Sequence, residues 1–452
     1  MGECLLSVGL DVGTTTTQLI VSHMEVRNNA SSFAVPELEI TGRQVVYRSP
    51  VHFTPLIRGE LVDGEGIREL VSREYRSAGI ERNKVDTGAI IITGETSRKE
   101  NAAAVLEALS SFAGDFVVAT AGPDLESVLA AKGAGALSYS EKTGARVLHM
   151  DIGGGTTNLA LVEEGKIVAT ACLNVGGRLL KFDETGRVTY RSPVLEGLTD
   201  ICVGDLPTEE RVFALCRRLA AVLEMAANRR ERDRSFEMLI TKGTSPLGFT
   251  GETVISFSGG VADCIERKLP WLTYGDMGPL LGQAIRESRL CSGAYRLGEE
   301  TVRATVIGAG CHSAQLSGST VFAQNVRFPL KNLPVTVVDE QLQTDTAALQ
   351  AALARQETSG VLALPGWNAP SYQRVASLAE AIAKAVGDGP CRIALQYDMA
   401  KALGTALQLQ LGKDREILCL DRLALSPESY LDVGSPVGPA FPVVIKTLVL
   451  DR

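Results

Sequence analysis

The amino-acid sequence predicts an α/β protein in which two related units face each other across an anion-binding cleft, with a further α/β unit after them. Three observations carry this. The pattern Asp-aliphatic-Gly, two variable residues, Thr-Thr occurs at Asp11 and again, 140 positions on, at Asp151. Each copy lies between short β-rich runs: Cys4 to Leu10 and Leu19 to Ser22 around the first, Arg146 to His149 and Leu159 to Glu163 around the second. Beyond Phe328 the pattern changes to short buried runs separated by helical stretches.

The turns carry chemistry that an ordinary hairpin does not need. Gly13 and the run Gly153-Gly154-Gly155 let backbone come close to a bulky anion, and successive turn N–H groups form an anion-binding concavity. The hydroxyls of Thr14, Thr15, Thr16, Thr156 and Thr157 can add donors. A carboxylate at such a mouth repels phosphate, so Asp11 and Asp151 make best sense as Mg²⁺ partners, directly or through water. Two such turns in the same strand-turn-strand setting point to an internal duplication that clamps a polyphosphate from both sides.

Composition sets bounds. At 452 residues, 45% apolar and 22% charged, the chain is an ordinary globular protein of two or three domains. A net charge of −8 argues against nucleic acid as a main partner. No apolar run approaches the ~20 residues that span a bilayer, so a cytoplasmic protein is expected. The nine cysteines are scattered without a C-x-x-C pair and read as buried thiols, and the four histidines lie far apart.

In chain order, residues 25–64 are rich in Pro, Ser and polar residues and read as an elaboration of the first unit. Gly66 to Ala78 has helical spacing, with Ile67, Leu70, Val71 and Tyr75 on one face. Ala89 to Ile92 is a short buried strand. Thr93 and Glu95 at its end lie where α/β folds keep functional groups, although capping of a helix from Ser97 is an equal alternative. A helix is expected over Asp124 to Ser138. Its Gly133 and Gly135, each costing about 1 kcal/mol relative to Ala, suggest close packing against a second helix. Glu209 to Arg232 is predicted as one long helix with Arg229, Arg230, Arg232 and Arg234 at its end, a basic terminus that favours the helix dipole. A strand from Thr253 leads into Ser258-Gly259-Gly260-Val261-Ala262-Asp263, where Gly-Gly at a helix start allows a nucleotide to approach.

The two turns resemble the phosphate-1 and phosphate-2 motifs of the acetate and sugar kinase/Hsp70/actin superfamily. Gly133 to Tyr139 resembles its first connecting helix, Ile255 to Asp263 its adenosine motif, and Val306 to Cys311 its second connecting segment. The runs Ile92 to Asn101 and Ala119 to Pro123 are similar to the family of ethanolamine ammonia-lyase reactivating factors.

The resemblance implies two actin-like (ribonuclease H-like) ATPase domains around a nucleotide cleft, residues 1–144 and 145–327, with a C-terminal α/β extension, 328–452. It implies ATP/ADP and Mg²⁺ as cofactors. Gly13, Thr14, Thr15, Thr16, Gly153, Gly154, Gly155, Thr156 and Thr157 would hold phosphate, Gly259, Gly260 and Asp263 would face the nucleoside, and Asp11 and Asp151 would hold the metal. Asp11, Asp151 and Glu95 are the catalytic candidates. An Arg from the basic run could stack on adenine. The same alignment puts Ala131 where a chaperone carries its water-orienting glutamate, with Glu126 the nearest upstream carboxylate, so hydrolysis is expected to be slow. The implied activity is that of a molecular chaperone with ATPase activity. It would bind inactivated ethanolamine ammonia-lyase and release damaged cobalamin so that adenosylcobalamin can rebind. No nucleic acid or membrane partner is implied, and both a homodimer and association with a bacterial microcompartment are left open. A small-molecule kinase and a nucleotide-binding actin-like scaffold of the same superfamily are the alternatives.

Overall fold

In a computed structural model, the first Asp-Gly turn joins β1 (Glu3–Val12) to β2 (Thr16–Asn28) as an antiparallel hairpin, with Asp11 opposite Gln18 and Val12 opposite Thr17. The structure describes residues 3–13, 16–28, 38–57, 61–81, 84–85, 87–93, 117–120, 123–241, 247, 252–312, 314–317, 320–354, 360–423, 425, 429–434, 436 and 441–447. Next to β2 runs β3 (Leu38–Arg48), so this part of the expected elaboration is the edge strand of the sheet. The two-residue β4 (His52–Phe53) lies against β2 at Thr16 and Thr17, and β5 (Leu56–Ile57) pairs with β6 (Leu61–Val62) as a small ribbon.

Helix α1 (Gly64–Ala78) starts where the Asp63 carboxylate accepts the N–H groups of Glu65 and Gly66, and it ends at Gly79 in the left-handed region. Its apolar face buries Ile67, Val71 and Tyr75 against Val8, Leu10, Val12, Ile90 and Ile92 of the sheet. Strand β7 (Thr87–Ile92) pairs parallel with β1, and β8 (Val117–Thr120) pairs parallel with β7. The order is β3-β2-β1-β7-β8. The helix expected from Ser97 lies outside the described residues.

The helix expected over 124–138 is two helices, α2 (Pro123–Gly133) and α3 (Ala136–Thr143). Gly135, at φ +73°, breaks it by taking a conformation that an L side chain resists. Then come β9 (Val147–Ile152), β10 (Thr157–Glu163), β11 (Lys166–Leu173), β12 (Leu180–Phe182) and β13 (Val188–Arg191). They are followed by α4 (Glu209–Ala226), α5 (Arg234–Leu239), β14 (Val254–Ser258), α6 (Ala262–Ile265), α7 (Gly278–Arg286) and β15 (Tyr295–Leu297).

The second sheet has the order β11-β10-β9-β14-β15, the same succession as the first: a three-strand antiparallel meander, then two parallel strands beside its first strand. Asp151 is opposite Asn158 and Ile152 opposite Thr157, so the two hairpins share their register residue for residue. The duplication read from the turns is therefore a duplication of whole sheets.

Between the sheets, α8 (Ala304–His312) crosses α2. A Cβ on Gly308 would lie 2.0 Å from the carbonyl oxygen of Leu129, so the two backbones touch, and the expectation of close packing against a second helix holds for Gly133 and not for Gly135, which faces the Glu299 side chain. Two sheets of identical order, each ending in a phosphate-type turn and linked by crossing helices, form the actin-like fold that the resemblance implies.

The third sheet, β16-β23-β22-β18-β19-β20-β21-β17, is built from β16 (Ala314–Leu316), β17 (Phe322–Gln324), β18 (Leu330–Val337), β19 (Val361–Leu364), β20 (Cys391–Leu395), β21 (Ile417–Leu420), β22 (Ser429–Val433) and β23 (Pro442–Thr447). Strands β16 and β17 belong to it although they precede residue 328. Helices α9 (Thr346–Ala354), α10 (Tyr372–Val386) and α11 (Ala400–Leu411) pack Leu349, Leu378, Ile382, Leu403 and Leu407 onto Leu362, Leu364, Ile393 and Leu395. The alternate residues Val361 and Ala363 join a second core on the other face, the period of two expected of a strand buried on both sides.

Among the described residues no helix is long and apolar enough to cross a membrane. The expectation of buried thiols holds for Cys172, Cys216, Cys264, Cys391 and Cys419, whereas Cys4 and Cys202 are exposed.

Candidate functional site

Both Asp-Gly turns close through the same hydrogen bond. Gly13 N–H donates to the Thr16 carbonyl at 2.9 Å, and Gly153 N–H donates to the Thr156 carbonyl at 2.9 Å. A Cβ on Gly13 would lie 2.9 Å from the Thr16 carbonyl oxygen, so only glycine closes this turn without a shift. Each aspartate is then held by a hydroxyl from the end of the neighbouring parallel strand. Thr93 Oγ1, just after β7, donates to Asp11 Oδ1 at 2.8 Å. Ser258 Oγ, the last residue of β14, donates to Asp151 Oδ1 at 2.5 Å, and Thr305 Oγ1 reaches Oδ2 at 3.5 Å.

The two carboxyl groups share one electrostatic situation. Asp11 keeps some solvent contact at the cleft, yet burial raises its carboxyl to about 7; the Thr93 bond opposes the shift and the charge of Asp151 adds to it. Burial likewise raises Asp151 to about 6, against the bonds from Ser258 and Thr305. Two partly desolvated carboxylates that repel each other across a cleft form an all-oxygen donor pair whose charge a small divalent cation would neutralise. The residues present fit Mg²⁺ completed by water or phosphate oxygens.

The second turn has a buttress. Gly177 N–H donates to the Gly153 carbonyl at 3.0 Å and Arg178 N–H to the Gly154 carbonyl at 2.7 Å. A Cβ on Gly176 would lie 2.3 Å from the Gly154 carbonyl oxygen, and one on Gly259 (φ +86°) would lie 2.3 Å from that of Ile152. Gly176 and Gly259 thus serve backbone-to-backbone packing. A Cβ on Gly155 or Gly260 would meet nothing within 4 Å, so these two glycines border open space where a ligand could come close.

The threonines divide by position. Thr156 is partly exposed at the turn. Thr157, expected to hold phosphate, is fully buried and donates its hydroxyl to the Val175 carbonyl at 2.7 Å, so its hydroxyl ties the turn to its buttress. Its counterpart Thr17 is equally buried and bonds Thr54 Oγ1 at 3.1 Å, while Thr54 Oγ1 donates to the Gly13 carbonyl at 2.7 Å. The second threonine of each pair therefore faces inward. Asp263 accepts the Thr301 hydroxyl at 2.5 Å in the first turn of α6. Thr14, Thr15 and Glu95 lie outside the described residues.

Two expectations are corrected. The predicted helix over 209–232 ends at Ala226, followed by Asn228 at φ +54°, so the basic run does not form a helix terminus. Arg229 donates to the carbonyls of Arg289, Leu290 and Thr253, Arg230 pairs with Glu224, and Arg232 donates to the Leu247 carbonyl beside the Phe236 ring. These three guanidinium groups are held by protein partners. Ala131 is fully buried against Val147, Ala160 and Val162, so that position faces a core and not the cleft. Glu126 instead accepts, at 2.7 Å, the side-chain N–H of Asn158, the residue opposite Asp151.

Sequence reading missed the roles of Ser258, Thr305, Arg178 and the Asn158–Glu126 pair. Asn158 and Gln18 occupy the same place after each turn, and that repeat was the one available signal.

The family described as Ethanolamine utilisation protein EutA matches residues 3–451. The chain is 40% identical over 465 residues to the ethanolamine ammonia-lyase reactivase EutA of Escherichia coli K12, covering 98% of each chain. It is 41% identical over 464 residues to the reactivase of the same name from Salmonella typhimurium LT2, again covering 98% of each. Among solved structures, the ethanolamine utilization protein EutJ from Carboxydothermus hydrogenoformans overlaps with a TM-score of 0.35 at 18% identity, covering 67% of this chain and 88% of that one.

Proposed function

The chain belongs to the ethanolamine utilisation protein EutA family, and from that premise we propose that it reactivates ethanolamine ammonia-lyase in a cycle driven by Mg-ATP. The reading holds that it loosens the inactivated lyase so that damaged cobalamin leaves and adenosylcobalamin rebinds. The observation that supports a nucleotide cycle is the pair of matching turns, each with one desolvated aspartate held by a hydroxyl of the adjoining strand.

Chemically, the protein's part is positioning. The open backbone at Gly155 and the N–H groups of both turns would take phosphate oxygens, with Thr156 adding a hydroxyl. Thr93 and Ser258 each fix one oxygen of Asp11 and Asp151, and the remaining lone pairs of the two carboxylates would serve the cation. Bound Mg²⁺ would neutralise phosphate charge and offset the repulsion between these two carboxylates. Gly260 would border the nucleoside. Nucleotide held by both turns favours a closed arrangement of the two units, and its loss an open one, because a ligand shifts such an equilibrium by its differential affinity. The glycine crossing of α2 and α8 is where that motion would be accommodated.

The test is ATP hydrolysis with and without lyase inactivated by hydroxocobalamin or cyanocobalamin, followed by deamination after adenosylcobalamin is added. Recovery that requires both ATP and Mg²⁺ is expected. Recovery that proceeds equally without nucleotide would overturn the driven cycle.

A further inference from the structure

Arg178 lies on the second turn and at the edge of a pocket that both units line. Its N–H donates to the Gly154 carbonyl at 2.7 Å, and its side chain lies so close over Gly154 that a Cβ there would sit 3.3 Å from Arg178 Cδ. Its Nε donates to Asp276 Oδ2 at 3.0 Å. The pocket, about 380 Å³, is bordered by Phe53 from the first unit and by Arg178, Lys181, Tyr274 and Asp276 from the second. Phe53 pairs with Thr16, immediately after the first turn, so the pocket connects the surroundings of the two turns.

The order of the second sheet decides which end of a bound polyphosphate this is. Gly260, where backbone is open to a nucleoside, follows β14 on one side of β9. Arg178 follows β11, on the other side of the hairpin. A phosphate chain that starts from the β14 side and crosses the open face of Gly155 runs toward Arg178. The local charge there suits an anion. Arg178 and Lys181 both act favourably on the Asp276 carboxylate, two cations to one anion, and Lys181 Nζ otherwise stands 5.4 Å over the Tyr190 ring. Asp276 keeps a second partner on its other oxygen, Oδ1 accepting Gly278 N–H at 2.8 Å, when the guanidinium leaves Oδ2.

Building on the nucleotide reading above, we propose that this pocket is a phosphoryl-anion site, in which Arg178 exchanges Asp276 for the terminal phosphate of the nucleotide or for the inorganic phosphate released from it. A guanidinium suits this exchange because its fork matches carboxylate and phosphate alike.

The experiment is calorimetric binding to the full chain, with Mg²⁺, of ADP, of a non-hydrolysable ATP analogue, and of inorganic phosphate added to the ADP complex. For Arg178→Gln the analogue should bind about tenfold more weakly while ADP affinity stays within about twofold. Asp276→Asn, which removes the competitor, should act in the opposite direction and tighten the analogue. A loss confined to the analogue assigns the terminal phosphate, and a loss confined to added phosphate assigns the released ion; either supports the site. Equal weakening of ADP and the analogue in Arg178→Gln would mean that the side chain only supports the turn, and would overturn the proposal. Wild-type protein that binds the analogue no more tightly than ADP, and no phosphate beside ADP, would overturn it while leaving the nucleotide site in place. Wild-type protein that binds no nucleotide at all would overturn both.

Discussion

A Cβ placed on Gly133 would lie 1.9 Å from the carbonyl oxygen of Ala304, which makes the crossing of α2 and α8 a contact of backbone on backbone. Glycine in a helix ordinarily costs about 1 kcal/mol relative to alanine, so Gly→Ala in an open helix stabilises. Here the sign reverses, because the methyl group has no room. Gly133→Ala and Gly308→Ala should each destabilise by about 1–3 kcal/mol, the usual range for overpacking. Urea denaturation checks this, and an unchanged or higher midpoint would mean that the helices do not cross so closely.

The turn aspartates set a pH dependence. Both carboxyls stand above their ordinary value of 3.8, at about 7 for Asp11 and about 6 for Asp151. The folded state therefore holds their protons more tightly than the unfolded chain does. The stability they contribute is full below the unfolded value and is lost as pH rises through about 6 and then about 7. A cation needs the ionised forms, so Mg²⁺–nucleotide affinity should move in the opposite sense, falling roughly tenfold per pH unit per proton displaced below that window. Thermal melts of wild type and Asp11→Asn from pH 5 to 8, without metal, should converge at the acid end and diverge in favour of the variant at the alkaline end. Parallel curves would remove Asp11 from this role.

His149 stands behind Asp151 in a fixed orientation. It is fully buried, with Nδ1 3.1 Å from Ser256 Oγ and Nε2 2.9 Å from Ser258 Oγ. Ser258 has one proton and gives it to Asp151, so toward His149 it can only accept, and Nε2 must carry the ring proton. Burial, and after it the charge of Arg296, pushes the imidazole down to about 3, which keeps the ring neutral near pH 7. Nitrogen NMR of histidine-labelled protein should show the Nε2–H tautomer for this residue. Loss of the supporting bond in His149→Leu should lower Mg²⁺-dependent hydrolysis by about 10–100-fold. His149→Gln, which can still donate to Ser258, should recover most of it.

Thr156 and Thr157 should separate cleanly. Thr157→Val leaves the Val175 carbonyl without its buried partner and should cost about 1–3 kcal/mol of stability, with little change in turnover at temperatures where the variant is folded. Thr156→Ala should leave the melting temperature nearly unchanged and weaken ATP binding. A Thr157→Val variant with wild-type stability and lost hydrolysis would return that hydroxyl to the phosphate.

The sequence by itself determined the parts whose physics is local. A turn that must admit an anion needs glycine, donors and a carboxylate within a few positions, so Asp11 to Thr17 and Asp151 to Thr157 could be found as words, and their repetition implied two sheets of one design. The same holds for α1, whose apolar spacing and Asp63 cap sit side by side in the chain.

Tertiary structure decided whatever depends on residues far apart meeting at one point. Ser258 reaches Asp151 across 107 positions because β14 and β9 pair in parallel and bring their carboxyl ends together, and Arg178 reaches Asp276 across 98 because the segment at Asp276 bridges antiparallel to Lys181. The division of Thr156 from Thr157 followed from strand alternation around a turn whose buttress, Val175 to Arg178, is supplied by the next strand's exit. The long helix expected over 209–232 stopped at Ala226 because the arginines after it found backbone carbonyls to bind, an outcome that no propensity encodes. Local chemistry could be read along the chain, whereas the partner of each buried polar group was settled only by packing, since burial is what makes an unpaired one costly.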